Sequence, residues 1–367
     1  MLIVDDTIVY RKILTQAAEA TGLCEVSKAA PNGLIALELI KQRAFDVVLL
    51  DVFMPELDGL ETLKQIKQDF PRMEVIMVSS DGSESVKNTV KALELGALEF
   101  VLKPAHGDQA KNLESITRML KILFTQIQIK KPGSTHGTNA IRKEPRLETS
   151  TAIPTTASVK TRIIPERRKT LWSQADLILV AASTGGPVAL EKVTTRIRQP
   201  LDAPMLIVQH MPKNFTKVLA QSLDQKSGMT IVEAEENMMI QSKQTVIAAG
   251  GVHMTVVEKA NRKMIQLKKT ELVNGVRPAA DVLFETVADI FKGQRVLVVI
   301  LTGMGSDGTR GVSLLKAHCD VHCITQSEET CVVYGMPRSI VEAGLSDESL
   351  DIEKIAARIE SFGLRRR

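Results

Sequence analysis

No apolar run in this chain approaches the roughly 18 residues that a membrane span needs. The amino terminus, Met-Leu-Ile-Val-Asp-Asp, lacks the basic segment, long apolar stretch and cleavage site of a secretory signal. The expectation is a protein without membrane insertion that resides in the cytoplasm. Cysteine is scarce, with Cys24, Cys319, Cys323 and Cys331 scattered along the chain. Scattered cysteines in a reducing compartment are plain thiols, so no structural disulfide is expected. The close spacing of Cys319, His322 and Cys323 falls in a predicted strand, whose alternation sends neighbouring side chains to opposite faces and argues against metal there. Internal repeats are absent. Basic charge is missing from where a nucleic-acid binder would carry it. The formal net charge is +4, but residues 130–170 hold a local +7 and Arg365-Arg366-Arg367 three more, leaving the remainder at −6. A duplex binder places its charge on a folded face, so no nucleic-acid partner is expected.

What is present is length and alternation. At 367 residues the chain exceeds the usual single-domain size and predicts two domains. The first hundred residues alternate short aliphatic runs with amphipathic segments: Leu2–Val4, Thr7–Ala20, Val47–Leu50, Gly59–Gln68, Val75–Val78, Val86–Leu95 and Phe100–Leu102. Such alternation predicts a parallel sheet covered on both faces, with ligands at the carboxyl ends of its strands. A helical stretch from Gly107 to Lys130 closes this unit, with Leu113, Ile116, Leu120 and Leu123 at helical spacing, a face that packs on a domain or a partner. Lys131–Lys169 is rich in Pro, Gly, Ser, Thr and basic residues and reads as a linker. Strand-like runs return at Leu177–Ala181, Met205–Val208, Thr245–Ala248, Arg295–Leu301 and Val321–Thr325, with an antiparallel hairpin around Met254–Leu267. The fold class is therefore α/β, with two doubly wound parallel-sheet domains. The expected divisions are 1–106, a helix and basic linker over 107–171, and a second domain over 172–364.

In the first domain Asp5 and Asp6 follow the first strand, Asp51 follows Val47–Leu50, and Lys103 ends the last run. Three carboxylates and one amine at one sheet edge form a phosphoryl-transfer site. Clustered carboxylates raise one another's pKa unless a hard cation neutralises them, and Mg²⁺ suits oxygen donors. The expected roles are Asp51 as phosphoryl acceptor, Asp6, Asp51 and the backbone carbonyl of Phe53 as Mg²⁺ ligands, Asp5 as their outer partner, and Lys103 as the cation on the phosphoryl oxygens. Ser79 is placed to reach a phosphoryl group with its hydroxyl, and Phe100 to repack when it does. Any one of these acidic residues reads equally well as a helix cap; the joint pattern does not.

In the second domain, Leu177–Ala182 followed by Ser183-Thr184-Gly185-Gly186-Pro187 predicts a strand, a tight turn and a helix start with proline in its first turn. A serine there is exposed beside helical N–H groups, as nucleophilic catalysis requires. His210 and Asp307 also follow strand-like runs, so Ser183 as nucleophile, His210 as base and Asp307 as the group orienting it can converge. The loop Gly303–Gly308 offers backbone N–H groups, with that of Met304 the candidate oxyanion donor, and Thr184, Gly185 and His253 as site wall. Spacing alone leaves the alternatives open: Ser183 as a cap, His210 as a core histidine, Asp307 as a turn residue.

Two resemblances bear on these alternatives. Val4-Asp5-Asp6, Leu50-Asp51-Val52-Phe53-Met54-Pro55, Asp58-Gly59, Ser79 and Lys103-Pro104 resemble the flavodoxin-like receiver domain of response regulators. This implies a partner histidine kinase as phosphodonor. Ala182 to Pro187, Gln209-His210-Met211-Pro212, Arg277 to Phe284, Thr302-Gly303-Met304-Gly305 with Asp307-Gly308, and Tyr334-Gly335-Met336-Pro337 resemble the Rossmann-like catalytic domain of chemotaxis receptor methylesterases. That family implies hydrolysis of γ-methyl-glutamyl groups on chemoreceptor cytoplasmic domains with release of methanol, and deamidation of receptor glutamines. It implies no cofactor for ester hydrolysis, and a receiver that covers the active site until phosphorylated. Two departures stand out. Only three or four residues precede Asp5, which predicts a weakened sheet there or a chain that begins upstream. Ala248-Ala249-Gly250-Gly251-Val252-His253-Met254 lacks the proline usual at its second position, which predicts a less constrained loop. The rival readings are a DNA-binding output, which a compact basic helical domain would signal, and a non-catalytic receptor-binding module, against which Ser183, His210 and Asp307 stand.

Overall fold

The computed structural model describes residues 1–103, 109–130, 172 and 174–364; the predicted linker and the position of Pro104 lie outside them. The first unit contains β1 (Leu2–Val4), α1 (Ile8–Ala20), β2 (Lys28–Ala30), α2 (Gly33–Gln42), β3 (Val47–Asp51), α3 (Gly59–Asp69), β4 (Glu74–Ser79), α4 (Ser83–Glu94), β5 (Glu99–Leu102) and α5 (Gln109–Lys130). Its five strands form a parallel sheet in the order β2-β1-β3-β4-β5. Alternation along the strands divides the core. Ile3, Leu49, Ile76 and Val101 face α1 and α5, while Leu2, Val4, Leu50 and Met77 face α2, α3 and α4. The short β1 is not a weak point: it pairs with β2 on one side and β3 on the other, and all three of its residues are fully buried.

Two elements of this unit escaped sequence reading. β2 is Lys-Ala-Ala at the sheet edge, too short and too polar to give an apolar run, and α2 follows it. The boundary expected at residue 106 also moves. Ile116, Leu120, Leu123, Phe124 and Ile127 of α5 are buried against the first sheet, so the folded unit continues to Lys130.

The second unit contains β6 (Leu177–Ala182), α6 (Gly186–Thr194), β7 (Met205–Gln209), α7 (Phe215–Lys226), β8 (Thr230–Glu233), β9 (Gln244–Ile247), β10 (His253–Lys259), β11 (Arg262–Lys268), α8 (Ala280–Ile290), β12 (Arg295–Ile300), α9 (Thr309–His318), β13 (Asp320–Gln326), α10 (Met336–Glu342), β14 (Glu348–Leu350) and α11 (Ile352–Gly363). Seven strands form a parallel sheet in the order β14-β13-β12-β6-β7-β9-β8. The antiparallel pair β10-β11 lies apart from it and is anchored to α8, where Val256 N–H donates to Thr286 Oγ1 at 3.0 Å. The strand order reverses at β6, with β7 on one side and β12 on the other. In open parallel sheets, ligands bind at such a switch point, outside the strand carboxyl ends. Among the described residues no helix is long and apolar enough to cross a membrane.

The two units share one continuous core, in which the α2–α4 side of the first sheet meets the α6, α7 and α11 side of the second. Phe100 of β5 stacks on Phe215 of α7 with ring centroids 4.6 Å apart. Lys226 of α7 bridges Glu94 of α4 at 2.7 Å and Glu191 of α6 at 3.1 Å, and Ser222 donates to Glu94. Glu94→Ala removes the first unit's share of this polar contact. A partly exposed ion pair contributes about 1 kcal/mol or less, so the docked population should fall by no more than about fivefold. A longer mean distance between labels on the two units would show it, and an unchanged distance would place the docking energy in the apolar contacts alone.

Candidate active site

Both groups of polar residues picked out in the sequence lie at strand carboxyl ends. In the first unit Asp5 follows β1, Asp51 ends β3, and Lys103 follows β5. Parallel pairing brings these ends to one edge, where carboxylate oxygens of Asp5, Asp6 and Asp51 all lie within 4.8 Å of one another. The Lys103 ammonium contacts Asp51 Oδ2 at 2.7 Å and Asp5 Oδ2 at 2.8 Å, and lies over the Tyr10 ring, 4.7 Å from its centroid. Burial pushes the Asp51 carboxyl up to about 6, helped by Asp5 and Asp6 and opposed by Lys103. Asp58 caps α3 through the Glu61 N–H, and Gly59 packs so close to β3 that a Cβ would stand 2.0 Å from the Asp51 carbonyl oxygen.

Ser79 and Phe100 are both buried here. The Ser79 hydroxyl is fully buried and turned into α4, accepting from Thr89 Oγ1 at 2.6 Å and sharing a 2.9 Å contact with Ser85 Oγ. It does not face Asp51 in this conformation, because the α4 hydroxyls satisfy it first. Phe100 is buried in the stack on Phe215, which makes it part of the contact between units.

In the second unit Ser183, His210 and Asp307 follow β6, β7 and β12, the three strands around the switch point. The serine turn is built by close packing. Gly185 takes φ +74°, which favours glycine. A Cβ on Gly186 would stand 1.9 Å from Gln209 Oε1. Gln209 Nε2 donates to Ser183 O at 2.9 Å and His210 O at 3.2 Å, tying the ends of β6 and β7 together.

Asp307 is held hardest of the three. Its carboxylate accepts from His210 Nε2 at 2.7 Å, Ala280 N at 2.6 Å, Asp281 N at 3.1 Å and Asn274 Nδ2 at 2.8 Å. Two of these donors are the opening N–H groups of α8, where negative charge is favoured. Burial by itself would raise the Asp307 carboxyl, but the His210 contact and the two backbone donors outweigh it and hold the pKa below the usual value. An ionised Asp307 fixes the proton of His210 on Nε2 and leaves Nδ1 as the basic nitrogen.

His253 stands behind the wall and not on it. The ring is fully buried, its Nδ1 accepts from Ala279 N at 3.2 Å and its Nε2 meets Glu271 O at 2.9 Å. It thereby positions the segment that delivers Ala280 N–H to Asp307. Met304 lies in the turn beyond β12 with its side chain 38% exposed, and Gly303 packs against the serine so tightly that a Cβ would stand 2.8 Å from Ser183 Cβ.

Ser183, Thr184, His210, Met211 and Pro212 line a cavity of about 430 Å³ whose opposite wall is Glu99–Leu102 of β5 with Ser115, Ile116 and Met119 of α5. A cavity of about 930 Å³ at the amino ends of β3 and β4 holds none of the residues singled out above. Sequence reasoning missed Gln209, Asn274 and Glu99 as contributors. Gln209 and Asp281 lay inside recognised motifs, whereas Asn274 and Glu99 carry no signal apart from what folds against them.

A fold and site of this kind define a two-unit protein with three carboxylates and a lysine at one sheet edge of the first unit and a serine, a histidine and an aspartate at the strand ends around the switch point of the second. Residues 178–359 match the CheB methylesterase family and residues 1–114 the response regulator receiver domain. A protein-glutamate methylesterase/protein-glutamine glutaminase of Desulfotalea psychrophila is 38% identical over 98% of this chain and 97% of its own length. One of the same name from Symbiobacterium thermophilum is 38% identical over 98% and 95%. The crystal structure of the Thermotoga maritima CheB methylesterase catalytic domain is 36% identical and covers 51% of this chain and 98% of its own, with a TM-score of 0.49. The chain belongs to the protein-glutamate methylesterase/protein-glutamine glutaminase family.

Nitrogen-15 spectra of the histidines should show neutral His210 carrying its proton on Nε2; the reverse tautomer would contradict an ionised Asp307. Gly186→Ala drives a Cβ into Gln209 and should cost roughly 1–3 kcal/mol, the range for overpacking a filled site, read as a lowered unfolding midpoint.

Proposed function

We propose that this chain is a phosphorylation-activated serine hydrolase of chemotaxis adaptation. It removes γ-methyl esters from glutamates on chemoreceptor cytoplasmic domains, releasing methanol, and deamidates receptor glutamines to glutamate. The observation that carries this reading is the cavity in which Ser183 and His210 form one wall and the receiver's β5 and α5 the other.

Ser183 Oγ attacks the ester carbonyl as His210 Nδ1 takes its proton. Asp307 steadies the imidazolium through Nε2, and the Met304 N–H receives the oxyanion. His210 returns the proton to methoxide, or to the leaving amine in deamidation. Water then enters by the same base and frees the glutamate. A neutral ester or amide and an anionic product share one acyl-enzyme, so both activities follow from one serine.

Asp51 accepts the phosphoryl group from a histidine kinase. One lysine against three carboxylates leaves that edge net negative, a donor set that fits a hard divalent cation. Asp6, Asp51 and the Phe53 carbonyl would hold Mg²⁺, which would neutralise charge on the phosphoryl oxygens. Lys103 now bridges Asp5 and Asp51, and a phosphoryl group on Asp51 competes for it. Because Lys103 directly follows β5, the same event acts on the strand that carries Phe100 into the contact with α7. Opening the cavity is then a shift between docked and undocked populations.

The test is methanol release from methylated chemoreceptor cytoplasmic fragment, with and without a small phosphodonor and Mg²⁺. Release should rise with the phosphodonor, disappear in Ser183→Ala, and lose only its stimulation in Asp51→Ala. Asp307→Asn should lower kcat on the order of 10⁴-fold, the effect of a misdirected histidine tautomer. Absence of methanol under every condition would overturn the reading.

A further inference from the structure

Glu99 is the first residue of β5, on the receiver side of the cavity that holds Ser183. It is 9% exposed, and among the described residues no cation is paired with it, an unusual place for a carboxyl. One oxygen accepts from the Phe100 N–H at 3.1 Å. Glu99, Ser183 and Thr184 line one cavity, and the Thr184 hydroxyl and Gly185 N–H, in the two residues after the nucleophile, are the donors on the hydrolase side that act on this carboxyl. Burial pushes its pKa up to about 7, with the Phe100, Thr184 and Gly185 donors pulling the other way. A glutamyl side chain of the receiver therefore rests in the hydrolase site, on polar groups adjoining the nucleophile.

We propose that Thr184 Oγ1 and Gly185 N–H form the subsite that takes the side-chain carboxyl group of the substrate glutamate, and that Glu99 fills it as a tethered stand-in. The inference rests on the hydrolase reading above and adds the recognition element that it lacks. The chemistry of the groups matches. A protonated glutamate has the shape of glutamine and of a short γ-ester, and an ionised one is the reaction product itself. Affinity for a single carboxyl group would be slight, but attachment through the docked receiver supplies an effective concentration of roughly millimolar order. Phe100 beside it, stacked on Phe215, sets the side chain in register. The contact between units then does more than obstruct: it presents to Ser183 a residue of the type the enzyme releases.

The placement gives a direct test. In full-length Glu99→Gln the side chain at position 99 is an amide of the kind the enzyme hydrolyses. Ser183 would attack the Cδ of that introduced amide, ammonia would leave with a proton from His210, and water would release Glu99 and restore the serine. Peptide mass spectrometry of unphosphorylated Glu99→Gln should show residue 99 converted from glutamine to glutamate, and Glu99→Gln/Ser183→Ala should keep the amide. Methanol release by the wild type and deamidation of added receptor fragment by Glu99→Gln are measured alongside. Retention of the amide at position 99 while the same sample deamidates added receptor would overturn the subsite assignment alone. Conversion that persists without Ser183 would overturn it too. Failure of the wild type on every receptor substrate would overturn the hydrolase reading and this inference with it.

Discussion

The fixed point of the catalytic unit is the buried carboxylate of Asp307. Four donors converge on it from three parts of the chain: His210 after β7, Asn274 in the segment before α8, and the first two N–H groups of α8. A buried charge is tolerable only when so supplied. The requirement fixes where α8 begins and which way the His210 ring faces. Further constraints follow from it. His253, at the start of β10, accepts from Ala279 N and so ties the hairpin to the same helix start. Asp281 accepts from Asn274 Nδ2 at 2.9 Å and Gly311 N at 2.8 Å, joining α8 to α9.

The second organising element is β5, four residues long. Lys103, immediately beyond it, belongs to the carboxylate edge; Glu99 and Phe100, within it, belong to the contact with the second unit. The contact with Asp51 and the contact with α7 are thus made three residues apart on one segment of chain, by Lys103 and Phe100. The polar contact through Glu94, Lys226 and Ser222 lies at the edge of this interface and the stacked phenylalanines at its centre.

Much of this could be read without coordinates, for a physical reason. Parallel strands are buried on both faces and give aliphatic runs that stand out, and the residues just after them are the ones that meet at a sheet edge. So Asp5, Asp51 and Lys103 in one unit, and Ser183, His210 and Asp307 in the other, were identifiable from position alone as residues at strand ends. The elements that escaped were those whose burial is partial. β2 is an edge strand of Lys-Ala-Ala, β14 is Glu-Ser-Leu, and β8 closes the far edge of the second sheet. Edge strands need less apolar surface and leave little pattern. α5 was recognised as the helix that closes the first unit, but the boundary was drawn before it, because an apolar stripe does not say how firmly it is bound to the sheet it covers.

The sequence by itself determined the α/β class, the presence of two units and the residue types of both polar edges, since these depend on local periodicity and on what immediately follows a strand. Only the tertiary structure decided which hydroxyls and carboxyls face each other. It turned Ser79 into α4, where Ser85 and Thr89 satisfy its hydroxyl. It set His253 behind the site by engaging both ring nitrogens. It also brought Glu99 of the first unit into the cavity lined by Ser183 and Thr184 of the second. Those outcomes are contacts between elements remote in sequence, and no local pattern encodes the partner a side chain will find once the sheets are packed.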